Sequence, residues 1–570
     1  LTRLHFSNTT AVRQELRALT ILGLPVIGTK LANMAIRITD TIMAGNISAH
    51  DLAAIAVGNG YSGTMMVLLS GILIAMNPII GQLCGAKRHA EIGEKFRQGL
   101  WLSLLLGIVA ILGLHLIGRF AGLDENLAPI ADSYLKATCW GTPFIMVFHL
   151  LRNFNVAMGN TRPALFIILA SIPVNIIGNL LFMHGYLGLP KMGAQGLGYA
   201  SSLTWIFMFF SMLIWTKRHE GYAQLQLWKW ALPRLAECRE VLALGVPIGL
   251  TIAFEAGLYS VTMIFIGGLG AEMAAAHAIT ISISNLMYMI PAGIATAIGI
   301  RVSQAKGRGC DKSVHMIGKT GILLAGSVML VCGLLTWSFP HLLIGCYTND
   351  PALAKTTAGL LGLGALYQVF DGLQVSASAA LRGLKDTKIP MLASAISFWL
   401  IGLPIGWYLG IAKGMAAGGF WVGLVAGLFS AAILHNLRFY CLTHPLQTRR
   451  LAVLTACFVY RFFRVSKSSP CAKISFRFSF FKMADQLGAV KPSVLAPHTA
   501  RYIGPDQLAS RDSGNVPSQA FPWLTQPAFW RTPVTRTTDW FNQRAWKFRL
   551  RAAHFLEKKM GNRLVYSFDS

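Results

Sequence analysis

Two carboxylates stand alone in long apolar runs of this chain: Glu255, within ALGVPIGLTIAFEAGLYSVTMIFIGG, and Asp371, within LLGLGALYQVFDGLQVSASAALRG. A charge at a bilayer centre costs roughly 2.5–3.5 kcal/mol on insertion scales, so such residues mark an ion or substrate path. Each has a hydroxyl on its own helix face, Tyr259 one turn after Glu255 and Tyr367 one turn before Asp371. Thr251 and Gln374 extend those faces. No basic residue is close to either acid in sequence; the loop that follows Asp371 is basic, with Arg382, Lys385 and Lys388. The plainer alternative is a carboxyl kept neutral or hydrogen-bonded for helix packing.

A third acid, Asp40, lies in LANMAIRITDTIMAGN, and the spacing places Lys30, Asn33, Arg37 and Asp40 along one helix face. Such a stripe is expected to face the bundle or a wet cavity, unless Arg37 and Asp40 only neutralise each other. Asn175 and Asn179 are one turn apart on another apolar segment, where asparagines either bridge helices or bind ligand. Other signals fail. Gly318-Lys319-Thr320 resembles the end of a phosphate loop, but Ser313 occupies the first glycine position. The nine cysteines form no C-x-x-C pair, and the fourteen histidines lack ligand spacing. No nucleophile–base or metal constellation is visible, so no enzyme is expected.

The elements that must position these acids are membrane helices. Of the 570 residues 54% are hydrophobic and 13% charged, with a mean hydropathy of +0.52, whereas soluble domains carry about a quarter charged residues. Apolar runs near twenty residues span a ~30 Å hydrocarbon core. Twelve spans are read, at about 16–45, 52–76, 98–120, 131–151, 164–185, 193–216, 241–267, 274–297, 318–341, 355–380, 390–411 and 416–440. Basic residues concentrate in alternate loops, so both termini are expected on the cytoplasmic side, in agreement with an even number of spans. No positively charged lead before a short apolar core opens the sequence, so no removable signal peptide is expected.

The chain also repeats itself. An offset of 222 residues aligns Leu22-Gly23-Leu24-Pro25 with Leu244-Gly245-Val246-Pro247, Gly45 with Gly267, Ala53-Ala54 with Ala275-Ala276, Gln82 with Gln304 and Gly85 with Gly307. Later, Gly159-Asn160-Thr161-Arg162-Pro163 resembles the stretch from Gly383 through Thr387-Lys388 to Pro390. Each half holds six spans, which predicts two bundles related by an axis along the membrane normal, with a substrate site between them. The expected organisation is a lead at 1–15, a six-helix lobe at 16–216, a linker at 217–240, a second lobe at 241–442 and a basic tail at 443–570. The net charge is +27, and 443–570 contributes +14 of it, from 20 Lys/Arg against 6 Asp/Glu. That tail reads as a disordered segment, a run-on reading frame or a headgroup-binding module, and 451–463 is too short to span.

The spans, the repeat, D-T-x-M-A-G at Asp40–Gly45, the lone Glu255, and Tyr367 with Asp371 followed by L-R-G-x-K-D-T at Leu381–Thr387 together resemble the NorM branch of the MATE multidrug exporters over about 16–440. The resemblance implies an all-α membrane protein of two six-helix lobes. It implies export of bulky organic cations and drugs, driven by inward Na⁺ or H⁺. By position it assigns Asp40 to a site in the first lobe, and Glu255, Tyr367 and Asp371 to a cation site in the second, with Na⁺ at Glu255 and Asp371 if sodium is the ion. Asn33, Arg37, Asn175, Asn179, Tyr259 and Gln374 are the expected cavity residues. Lys30 and Arg37 depart from the pattern by placing positive charge beside Asp40. The expectation is therefore an antiporter of the cytoplasmic (inner) membrane: a monomer among lipids, with no cofactor beyond the coupling ion and no nucleic-acid partner. A lipid-linked precursor flippase is the alternative within transport, and a membrane receptor or scaffold the alternative outside it.

Overall fold

Without water to satisfy backbone N–H and C=O groups, a spanning segment must close its hydrogen bonds internally, and a helix does so within one segment. In the computed structural model residues 2–45, 49–120, 127–188 and 190–444 are described, and every regular element among them is helical. All described residues belong to one compact unit. The tail expected at 443–570, with its 451–463 segment, lies outside the described residues apart from Thr443 and His444.

The first lobe comprises α1 (Thr2–Gly45), α2 (Ala49–Leu73), α3 (Met76–Gly85), α4 (His89–Phe120), α5 (Ala128–Cys139), α6 (Thr142–Ala157), α7 (Arg162–Gly178), which ends in a π-helical turn at Asn179–Met183, and α8 (Gly193–Arg218). The second comprises α9 (Leu235–Gly267), α10 (Ala271–Gly307), α11 (Asp311–Ser338), the short α12 (Pro340–Ile344), α13 (Pro351–Gly383), α14 (Lys388–Ala395), α15 (Leu403–Trp407) and α16 (Ala416–Thr443). Two π-helical segments, Ile396–Gly402 and Tyr408–Ala412, join α14, α15 and the turn before α16 into one interrupted span. Among the described residues ten helices are long and apolar enough to cross a membrane. The other two expected spans are α5–α6, broken between Cys139 and Thr142, and the more polar α13, which buries Gln368, Asp371 and Gln374.

The helices overrun the apolar runs. Because α4 begins at His89 and α10 continues to Gly307, Lys95, Arg97, Arg301 and Lys306 sit on helices rather than in the expected loops. Likewise α1 starts at Thr2, inside the expected lead, and the connection between the lobes shrinks from 217–240 to 219–234. Hydropathy detects the hydrocarbon thickness, whereas an α-helix continues for as long as each turn satisfies its own backbone.

The lobes meet along a seam of glycines. A Cβ at Gly71 of α2 would lie 2.8 Å from the Gly249 Cα of α9, and one at Gly245 would lie 2.3 Å from the Ile72 carbonyl oxygen. Across the other arm of the seam, a Cβ at Gly293 of α10 would lie 2.3 Å from Ile27 Cγ1 of α1. Gly71 and Gly293, like Gly23 and Gly245, differ by 222 residues (293 − 71 and 245 − 23), so the seam obeys the sequence repeat. Small residues let membrane helices approach closely enough for backbone contact. Apart from Ile27, just past the middle of α1, these approaches involve the helix halves nearest the linker.

The linker itself is fastened to the first lobe. Arg97 donates to the Gln226 carbonyl at 2.7 Å, Gln98 to Leu232 at 2.9 Å and the Trp101 indole to Ala231 at 2.9 Å. Tyr222 donates to Asn155 Oδ1 at 3.0 Å. Burial pushes that phenol up to about 12, so it remains a donor across the physiological range.

Candidate functional site

Two prolines lie inside the helices that carry Asp40 and Glu255. Pro25 in α1 and Pro247 in α9 each lack the N–H that would close a helical turn. One turn on, Thr29 donates to the Pro25 carbonyl at 2.8 Å and Thr251 to the Pro247 carbonyl at 2.7 Å. Thr251 is thus committed to its own backbone. Glu255 follows Gly249, the last glycine crossing on α9, by six residues, or about 9 Å of helix.

In the second lobe the structure gathers what the sequence left apart. Asp371, 2% exposed, and Tyr367, 5% exposed, face the half-buried Glu255 and Tyr259 from α13. Glu255 and Asp371 lie within Coulombic reach of each other. The Tyr259 hydroxyl is hydrogen-bonded to the Tyr367 hydroxyl and lies 3.4 Å from Glu255 Oε1, a long contact. The Tyr367 ring rests edge-on against Trp421, with centroids 5.7 Å apart, which fixes the phenol. Asp371 Oδ1 and Gln374 Oε1, one turn apart on α13, are buried oxygens with no hydrogen-bond partner among the described residues. Orphaned acceptors of this kind are costly unless something positive, a proton or a cation, shares them.

Tyr288 of α10 and Arg382 join this group electrostatically, since both feel the charge of Glu255. Neither was expected there. Arg382 belongs to the last turn of α13 and not to a basic loop. Its position eleven residues after Asp371, three helical turns, was the available signal. For Tyr288 the available signal was the polar pair Ser284 and Asn285, one turn before it on α10.

The first lobe holds a different arrangement. Asn179 donates to Asp40 Oδ1 at 2.9 Å and lies 3.4 Å from Asn175 Oδ1. It does so at the start of the π-helical turn that ends α7, a distortion that often marks functional positions. Tyr134, within Coulombic reach of Asp40, donates to Asn59 at 2.7 Å. The expected Arg37–Asp40 pair does not form: Arg37 is exposed, and Asp40 takes its hydrogen bond from Asn179. Asn33 spends its amide on the Thr29 carbonyl at 2.8 Å. Lys30 lies within reach of two further cations, Arg152 of α6 and Arg382, and none of the three makes an ion pair or hydrogen bond among the described residues.

The MatE family profile matches residues 25–181 and 247–408, two stretches that begin at the repeat-related Pro25 and Pro247. The probable multidrug resistance protein NorM of Acinetobacter baylyi is 34% identical over 438 residues, covering 76% of this chain and 98% of its own. The multidrug resistance protein PmpM of Pseudomonas aeruginosa is 34% identical over 437 residues, covering 75% and 91%. Among solved structures, the eukaryotic MATE transporter AtDTX14 superposes with a TM-score of 0.68 at 18% identity, over 75% of this chain and 95% of that one. At that identity the likeness speaks for the twelve-helix fold alone.

Proposed function

The chain belongs to the MatE family of multi-pass membrane transporters, and from that premise we propose that it is a secondary active exporter exchanging lipophilic organic cations for inward Na⁺ or H⁺. One observation carries the reading. Glu255 and Asp371 share one mid-span site with two tyrosines, and the buried oxygens of Asp371 and Gln374 lack donors. Two carboxylates in a low-dielectric site do not both stay charged without a compensating cation, so the site takes up a proton or Na⁺. An ion bound in one conformation and released in another couples its gradient to drug movement.

In this reading the linker face is cytoplasmic and the protein sits as a monomer in the inner membrane. The glycine seam closes that face. Asp40 with Asn175 and Asn179 serves as a second polar site, and the drug passes between the lobes. Proteoliposomes holding this protein and loaded with a proton or Na⁺ gradient should lose the gradient when a cationic dye is added. A dye-independent gradient rules the reading out.

A second reading, transport of an amphiphile with an anionic headgroup such as a lipid-linked precursor, is favoured by the unpaired cations Lys30, Arg152 and Arg382. Gradient release by an anionic amphiphile but not by the dye would select it.

A further inference from the structure

The residues that repeat most faithfully are not the acids. Gln82 and Gln304 are separated by 222 (304 − 82), as are Gly85 and Gly307 (307 − 85), and these four residues meet at the linker end of the seam. From α3, Gln82 donates through Nε2 to the Gly383 carbonyl of the second lobe at 2.9 Å. From α10, Gln304 donates through Nε2 to the Ala157 carbonyl of the first lobe at 3.1 Å. Each glutamine therefore enters the turn that ends α6 or α13 in the opposite lobe. Those turns carry the related Gly159-Asn160-Thr161-Arg162-Pro163 and Gly383–Pro390 sequences, and Gly159 adopts φ +90°.

The glycines make the crossing possible. A Cβ at Gly85 would sit 2.1 Å from the Gln304 carbonyl oxygen, and one at Gly307 would sit 2.0 Å from the Gln82 carbonyl oxygen. These obstacles are backbone atoms, so only movement of a whole helix relieves them. A similar reciprocity extends outward in charge. Glu15 and Glu237 again differ by 222 (237 − 15), and each pairs with a base of the other lobe. Glu15 takes Arg301 Nε at 3.1 Å, and Glu237 takes Lys95.

We propose that Gln82 and Gln304, each seated in the end-turn of the opposite lobe over a glycine crossing, form a twofold latch that holds the linker face shut. The lobes part there only when both bonds release. Two equivalent single bonds suit this task better than one strong contact. Hydrogen bonds between membrane helices are individually weak, so both can break within a transport cycle, while together they bias the resting state. The latch rests on the lobes moving against each other, as the exporter reading requires, but its test records distance and not transport.

The test uses the full chain in lipid nanodiscs, its nine cysteines replaced, with spin labels at Arg162→Cys and Lys312→Cys, two exposed positions on opposite lobes. Pulsed electron resonance then reports the ratio of long to short separations. Gln82→Met and Gln304→Met keep length but remove the donor. Each should raise that ratio roughly three- to tenfold, by similar factors, and the pair by about their product. Gly85→Ala and Gly307→Ala should each abolish the short separation. A ratio unmoved by both glutamine variants overturns the latch, and one moved by a single glutamine overturns its twofold character. If the glycine variants fail to insert, the glutamine variants alone decide.

Discussion

The two acidic sites occupy the two halves of one repeat, yet they are not copies. Shifting Glu255 back by 222 lands on Asn33, and shifting Asp40 forward lands on Thr262. In the first lobe Asp40 already has a donor, Asn179 at 2.9 Å. In the second, Asp371 is buried, with Oδ1 unpartnered among the described residues and another carboxylate within reach. The seam between the lobes does repeat at Gly71 and Gly293, at Gly85 and Gly307 and at Gln82 and Gln304, although Gly249 has Ile27 as its counterpart. The contacts between the lobes follow the repeat, whereas the acids do not. A satisfied carboxylate is a structural polar group that can also bind ligand. An unsatisfied buried one has to be supplied with a cation.

The contrast breaks most sharply at Asp371. Asp371→Asn or Glu255→Gln removes charge with little change in shape, so insertion should survive. Ion-driven export in vesicles should fall roughly ten- to hundredfold, the range for losing a charge-assisted interaction. The double variant should be hardly worse than either single, since one site is lost once. Wild-type coupled export by either single variant would remove this site from the mechanism.

Next in size is the tyrosine pair. Tyr367→Phe leaves its ring against Trp421 but deletes the hydroxyl shared with Tyr259. The expected loss is roughly three- to tenfold in the apparent affinity for the driving ion, with little change in maximal rate. A change in maximal rate alone would place Tyr367 in the conformational step instead. Asp40→Asn should cost less, roughly threefold in drug binding measured by dye fluorescence, because a neutral side chain can still accept from Asn179. A loss as large as that of Asp371→Asn would make the lobes chemically equivalent and cancel the comparison.

The sequence revealed more of this than composition suggests, because lone acids in apolar runs and a fixed repeat are strong signals. Glu255, Asp371 and their tyrosines could be named from helical spacing, and the two lobes from six spans in each repeat. The meeting of Glu255 with Asp371 could not, since spacing describes one helix and α9 lies far from α13 in sequence. Arg382 was hidden by an underestimated helix end, and Tyr288 by a span that carries no acid, although Ser284 and Asn285 lie one turn before it. The stripe from Lys30 to Asp40 shows the opposite error. Spacing correctly placed four polar residues on one side of α1, but it cannot show that Asn33 bonds its own backbone or that Asn179 reaches Asp40 first.

The smallest effect sharpens the contrast from the other side. An arginine three residues before an aspartate on a helix suggests a pair that tunes it, and removing Arg37 would then alter how export depends on pH. The structure leaves Arg37 exposed, without an ion pair among the described residues, while Asn179 holds Asp40. Two charges on adjacent turns, about 7 Å apart in a water-like dielectric, interact by only about 0.6 kcal/mol. Export by Arg37→Ala, measured across pH at matched expression, should therefore keep the wild-type pH profile and a maximal rate within about twofold. A displaced profile would mean that Arg37 turns inward during the cycle and that the first lobe, like the second, uses a carboxylate whose charge is balanced by a moving cation.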